Sequence, residues 1–165
     1  MPALPLVFYP DPRLSMKAAP VTLFDEALRR LADDLRDTLW AAPGIGITAP
    51  HVGILSRLVV TQLAPGEEVR AFVNPVVLSS SGPLTSHTEG SVSMPGVHDE
   101  IERPSEVTVQ FQTLEGKLET ENMTGLMAVV MQHEVDQLDG LFWLQRLSRL
   151  KRDRLIKRYE KLRRA

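Results

Sequence analysis

Gln132-His133-Glu134-Val135-Asp136-Gln137 is the stretch that decides how this chain is read. It closes a longer segment, Thr124 to Gln137, in which Leu126, Val130 and His133 fall on one line at helical spacing, and Gly140 ends the run. On a helix, residues four apart share a face. A His-Glu-x-x-His segment therefore brings two imidazoles to one metal ion, and the glutamate one step round can take a proton from metal-bound water. Here the second imidazole position is Gln137. An amide is a poor, neutral ligand for zinc or iron, which prefer imidazole, thiolate or carboxylate. Alone, the His133-Glu134 pair reads as an ordinary polar pair on a helix.

Working outward, a second helix is predicted from Thr22, with Thr22 and Asp25 as a capping box. Phe24, Leu28, Leu31, Leu35 and Leu39 form its apolar stripe, and it stops before Pro43-Gly44. Strands are predicted at Leu58 to Gln62, Ala71 to Val77, Leu84 to Thr88 and Val107 to Gln112, with a further piece at Lys117 to Glu121. Turns at Pro65-Gly66, Ser79 to Pro83 and Glu115-Gly116 separate them, and Gly96 to Glu100 reads as a loop that leaves His98 on the surface. Ser148 caps a last helix running to about Arg164. Helix, antiparallel strands, helix, helix is an α+β plan. Residues 1–165 read as a single domain, without repeat or linker.

Composition narrows the function. Apolar residues make up 43% and charged residues 24%, enough for a packed core and against disorder. The chain has no cysteine, which excludes disulfides, thiolate metal ligands and a cysteine nucleophile. No apolar run is long enough to span a membrane, and the first residues lack the basic opening of a secretory signal, so a cytoplasmic location is expected. The net charge of −2 hides an asymmetry. Arg146 to Ala165 carries ten Lys/Arg against two acids, leaving nine against nineteen in the rest. That basic helix reads either as a solvated face or as a contact for RNA or the ribosome.

Three segments carry a resemblance to peptide deformylases. Gly44-Ile45-Gly46-Ile47-Thr48-Ala49-Pro50-His51 resembles the family's first motif, Gly-x-Gly-x-Ala-Ala-x-Gln. Glu89-Gly90-Ser91-Val92-Ser93 resembles the second, Glu-Gly-Cys-Leu-Ser, and Gln132 to Leu138 the third, Gln-His-Glu-x-Asp-His-Leu. Tyr9-Pro10-Asp11-Pro12-Arg13-Leu14 resembles the family's opening. The resemblance implies antiparallel strands around a central helix that carries His133 and Glu134. It also implies removal of formyl from N-formylmethionyl peptides, by a divalent metal held on the motif cysteine and two histidines. By the same resemblance, His133 is a metal ligand and Glu134 the general base. Gly46, His51 and the backbone of Val92 meet the peptide and its developing oxyanion. Glu89 and Arg103 form a bracing pair, and Leu126, Val129 and Val130 are core residues, some of which border the pocket for a methionine side chain.

The departures fall on the chemistry. Ser91 stands where the family has cysteine, Gln137 where it has the second histidine, and His51 where it has glutamine. A serine hydroxyl is a far weaker ligand than a thiolate. Without a metal, a buried Glu134 is expected to rise in pKa. The expected function is therefore a deformylase-like protein that keeps a groove for a formyl-peptide or another peptide N-terminus. It binds no metal, or iron, zinc or nickel only weakly, and has little or no activity. The alternative is an active hydrolase with a metal site rebuilt from His51, His87 and His133, assisted by Glu134 or Glu89. If no such site exists, His51 is expected to bond Glu134 or Ser91. Ser91 as a serine-hydrolase nucleophile lacks the elbow sequence that such a residue needs.

Overall fold

In the computed structural model, which describes residues 3–164, five antiparallel strands form one sheet in the order β1-β2-β3-β4-β5. The strands are β1 (Gly46–Thr48), β2 (Leu58–Thr61), β3 (Arg70–Ser91), β4 (Met94–Gln112) and β5 (Leu118–Thr124). Helix α1 (Glu26–Ala41) precedes them, and α2 (Gly125–Leu138) and α3 (Arg149–Arg164) follow. Residues 1, 2 and 165 of the expected single domain lie outside the described residues. The α+β plan predicted from the sequence is the observed one.

Helix α1 begins four residues later than predicted. Its N-cap is Asp25, whose carboxylate accepts the Leu28 amide at 3.1 Å, and not Thr22. An aspartate at that position satisfies a free N–H and adds a favourable charge at the helix N-terminus. The predicted stripe buries Leu28, Leu35 and Leu39 against Ile47, Leu58, Val60 and Val73 of the first three strands.

The largest difference is the β3–β4 hairpin. Where the sequence predicts three short strands, a turn and a surface loop, two long strands run side by side, joined at Ser91–Met94. The Ser79 to Pro83 segment is not a turn: register shifts at Val73/Val76, Val77/Ser79 and Ser81/Leu84 absorb Pro75 and Gly82-Pro83 as bulges. A bulge accommodates an extra residue, or a proline without an N–H, while pairing continues on both sides. Gly82, at φ +77, supplies a backbone conformation costly to other residues. His98 consequently lies on β4 rather than in a loop, although it is exposed as expected.

Helix α2 lies across this sheet and carries the chemistry-bearing residues. Ala128, Met131, Val135 and Leu138 bury one side of it against Phe72, Val107, Val109, Phe111 and Met123. Gly140, at φ +84, turns the chain directly against the backbone of Ser15 to Lys17, where a Cβ would come within 2.9 Å of the Ser15 carbonyl oxygen. Helix α3 packs the hairpin end through Leu155 and Tyr159, and Ser148 Oγ accepts the Lys151 amide at its start. No described helix is long and apolar enough to cross a membrane.

Candidate functional site

The three motif segments converge on one pocket of about 470 Å³. The Gly44–Gly46 loop and β1 form one wall, the end of β3 from Thr88 with Val92 of the following turn another, and α2 the floor. Its apolar lining includes Ile45, Val92, Leu126, Val129 and Val130. His51, His87, His133, Glu134 and Ser91 border it, as the sequence predicts, and His98 joins them at the hairpin.

Helical spacing explains why His133 and Glu134 turn toward the pocket while Asp136 reaches the far side. His133 Nδ1 lies 2.9 Å from Glu89 Oε1. Arg103 donates to both oxygens of Glu89, at 2.6 and 2.9 Å, and through Nη1 to Asp136 at 3.0 Å. Arg146 completes the chain with two bonds to Asp136, at 2.9 and 2.8 Å. Glu89 and Arg103 thus form the predicted brace, and it extends further than predicted. Burial works against the ionised form of Glu89, but the bonds from His133 and Arg103 overcome it and hold the carboxyl at about 2. Burial also disfavours charge on His133, yet the bond to Glu89 and the two nearby carboxylates raise its pKa above the ordinary value.

The other end of the pocket is different. Glu134 is buried; its Oε1 has no hydrogen-bond partner, and His133 Nε2 lies 3.7 Å away. Burial pushes Glu134 up to about 7, as expected for this carboxyl without a metal. Gly46 is required here: a Cβ would fall 2.6 Å from Glu134 Oε2 and 2.9 Å from Val130. Close packing of β1 on α2 is therefore a sufficient reason for this glycine.

His51 does not bond Glu134 or Ser91, as one expectation had it. The Thr48 amide donates to its Nδ1 at 3.0 Å, and the Thr48 hydroxyl lies at the same distance. Its Nε2 is buried and unpaired. A backbone N–H can only donate, so Nδ1 is the acceptor and the neutral ring carries its proton on Nε2. Burial, with His133 nearby, lowers the pKa to about 3 and keeps the ring neutral. The sequence reading missed Thr48, although its place three residues before His51 is a capping-box spacing.

The positions that would hold a metal do not fit one. Gln137 donates its amide to the Leu14 carbonyl at 2.7 Å. Ser91 Oγ accepts the Ser93 amide at 3.1 Å across the hairpin turn. His87 pairs with the Thr85 hydroxyl at 3.0 Å. Nε2 of His51 bears a proton and has no lone pair to offer. Among the described residues, no group of three or more His, Cys, Asp or Glu side chains is placed to hold a metal ion. The rings of the alternative site, His51, His87 and His133, border one pocket with separate partners, Thr48, Thr85 and Glu89.

The polypeptide deformylase family pattern matches residues 3–153. A peptide deformylase-like protein of Brucella suis biovar 1 is 58% identical over 159 residues, covering 96% of this chain and 97% of the relative. A peptide deformylase of the same organism is 41% identical over 165 residues, covering 98% and 94%. The crystal structure of a peptide deformylase from Legionella pneumophila superposes with a TM-score of 0.93 at 36% identity, covering 98% of this chain and 96% of that one. Sequence and fold agree from the first strand to the helix bearing His133: the chain belongs to the polypeptide deformylase family.

Proposed function

We propose that this chain is a peptide-binding relative of the deformylases in which metal-dependent removal of formyl is lost or strongly reduced. The reading treats residues 1–165 as one peptide-deformylase-like domain. The observation that carries it is a contrast within one pocket. The apolar lining of Val92, Leu126, Val129 and Val130 remains, while Ser91 and Gln137 give their polar groups to the protein backbone. A pocket of this size and lining suits an apolar side chain at a peptide N-terminus, formylated or not. Gly46 and the backbone of Val92 would flank the peptide. His51 Nε2–H, a donor by its bond to Thr48, would meet a carbonyl oxygen. Glu134 is the residual acid–base group, and His133 is held by Glu89.

The basic helix α3 supports a second contact, with RNA or the ribosome in the cytoplasm. Lys157, Arg158 and Lys161 are exposed on it. Binding of that kind falls steeply with salt.

Hydrolysis of a formyl-Met peptide by anaerobically purified protein, with iron, nickel or zinc added in turn, tests the loss of activity. The expected result is no turnover above the protein-free rate. The triple variant Ser91→Cys, Gln137→His, His51→Gln is expected to gain metal and some activity. Turnover by the wild-type chain would overturn the reading.

A further inference from the structure

We infer that the junction of α2 with the β3–β4 hairpin takes no resident divalent metal, and that Gln137 serves there as a structural tie between α2 and the N-terminal Pro12–Ser15 turn. This rests on the proposed peptide-binding reading of the same pocket and adds what has replaced the metal.

Four side chains stand at or beside the positions a cation would use: His133, His51, Ser91 and Gln137. Only His133 has the form of a ligand, with one ring nitrogen bonded to a carboxylate and the other free. His51 is fixed in the opposite sense. Its unprotonated nitrogen faces Thr48, and the nitrogen left over carries the proton. To ligate a metal through Nε2, the ring must move its proton to Nδ1 and give up the bond from the Thr48 amide, or lose that proton altogether. Ser91 offers a neutral hydroxyl already accepting from Ser93. Gln137 is 1% exposed, and its amide nitrogen is engaged by Leu14. One imidazole and one carboxyl fall short of the three protein ligands that a catalytic metal site requires.

The Gln137 bond belongs to a continuous seam. Ala18 donates to the Leu138 carbonyl at 2.8 Å, and Arg57 Nη1 donates to the same oxygen at 3.0 Å. Gly140 packs its Cα against the Ser15 to Lys17 backbone. Leu14, 1% exposed, anchors the turn in the core. Gln137 is the side chain of α2 that binds this seam at Leu14. Its loss leaves a buried carbonyl without a donor, which is costly because water cannot replace the bond.

The test uses the full chain. Wild-type protein is incubated anaerobically with Fe2+, Ni2+ or Zn2+, dialysed, and analysed for metal; its Tm is read with and without chelator. Retained metal is expected far below one ion per chain, with the same Tm in both conditions, since only a ligand bound to the native state raises it. Nitrogen NMR of the His51 ring is expected to show a protonated Nε2 that is unmoved by added Zn2+. Gln137→Ala is expected to lower Tm by roughly 3–10 °C and to speed amide exchange from Leu14 to Ala18. If that variant does not fold, slow exchange of the Gln137 side-chain amide in the wild-type chain is the readout.

Near-stoichiometric metal that raises Tm, or an Nε2 that binds Zn2+, would overturn the metal-free junction. An unchanged Tm and exchange pattern in Gln137→Ala, or a fast-exchanging Gln137 amide, would overturn the tie. Formyl-Met peptide binding is measured on the same samples. Metal together with intact peptide binding defeats only this inference, whereas absence of both defeats only the peptide reading.

Discussion

The two ends of the pocket treat charge in opposite ways. On the hairpin side, Glu89, Arg103, Asp136 and Arg146 form an unbroken chain of bonds between 2.6 and 3.0 Å, with His133 attached at its head. On the β1 side, His51 Nε2 and Glu134 Oε1 are buried with no partner. Helix α2 serves both ends, with His133 and Asp136 at one and Glu134 at the other. The satisfied end holds β3, β4, α2 and the 3-10 turn Trp143–Arg146 together. The unsatisfied end carries unmet polar groups, which cost stability and persist where a site is kept for a ligand.

The comparison breaks most sharply at Arg103. Replacing it with Ala leaves Glu89 and Asp136 without their shared partner, and Glu89 is almost fully buried. Urea unfolding should show a loss of about 3–4 kcal/mol, the cost of a buried carboxylate left with His133 as its one partner. A loss under about 1 kcal/mol would mean that the brace behaves like a surface ion pair.

Glu134→Gln sharpens the opposite end. The folded carboxyl titrates near 7, above its ordinary 4.5. A group raised in this way supports the fold fully below 4.5, and that support is lost as pH rises through 7. The amide never ionises. The variant should therefore match wild type near pH 4 and be more stable by about 3 kcal/mol at pH 8. Thermal unfolding at the two pH values checks this, and a variant less stable at pH 8 would refute it.

Glu89 has the reverse sign. Its pKa is held at about 2, below the ordinary 4.5, so its contribution is present above 4.5 and is lost as pH falls toward 2. The wild-type chain should lose about 2–3 kcal/mol in that window, beyond what Glu89→Gln loses over the same range. Parallel acid limbs in the two proteins would contradict the assignment. The smallest effect is expected on α3, where Lys157→Glu, Arg158→Glu and Lys161→Glu together should change stability by under about 1 kcal/mol. The same change should abolish any salt-sensitive RNA binding, and binding that persists would remove α3 from that role.

Much of this was legible in the sequence where one local rule acted alone. The period of Leu126, Val130 and His133 gives α2, and Ser148 gives the start of α3. Where two local rules competed, the reading slipped. Thr22 and Asp25 are both good caps, and only the packed helix selects Asp25. Gly82-Pro83 has the composition of a turn, yet continued pairing on either side makes it a bulge. The candidate site divides in the same way. That Ser91 and Gln137 are residue types poorly suited to bind a metal is visible from the sequence. The partner of Gln137 is not, because Leu14 lies 123 residues away and no periodicity links them. The proton position of His51 depends on a backbone N–H, which no side-chain pattern records.

A pocket that binds a peptide N-terminus without cleaving it has a direct thermodynamic signature. Isothermal titration of the wild-type chain with a formyl-Met peptide, in the presence of added divalent metal, reads both halves in one trace. The expected result is a saturable heat at one peptide per chain that returns to baseline after each injection. A sustained heat of turnover, or no heat at all, would contradict it.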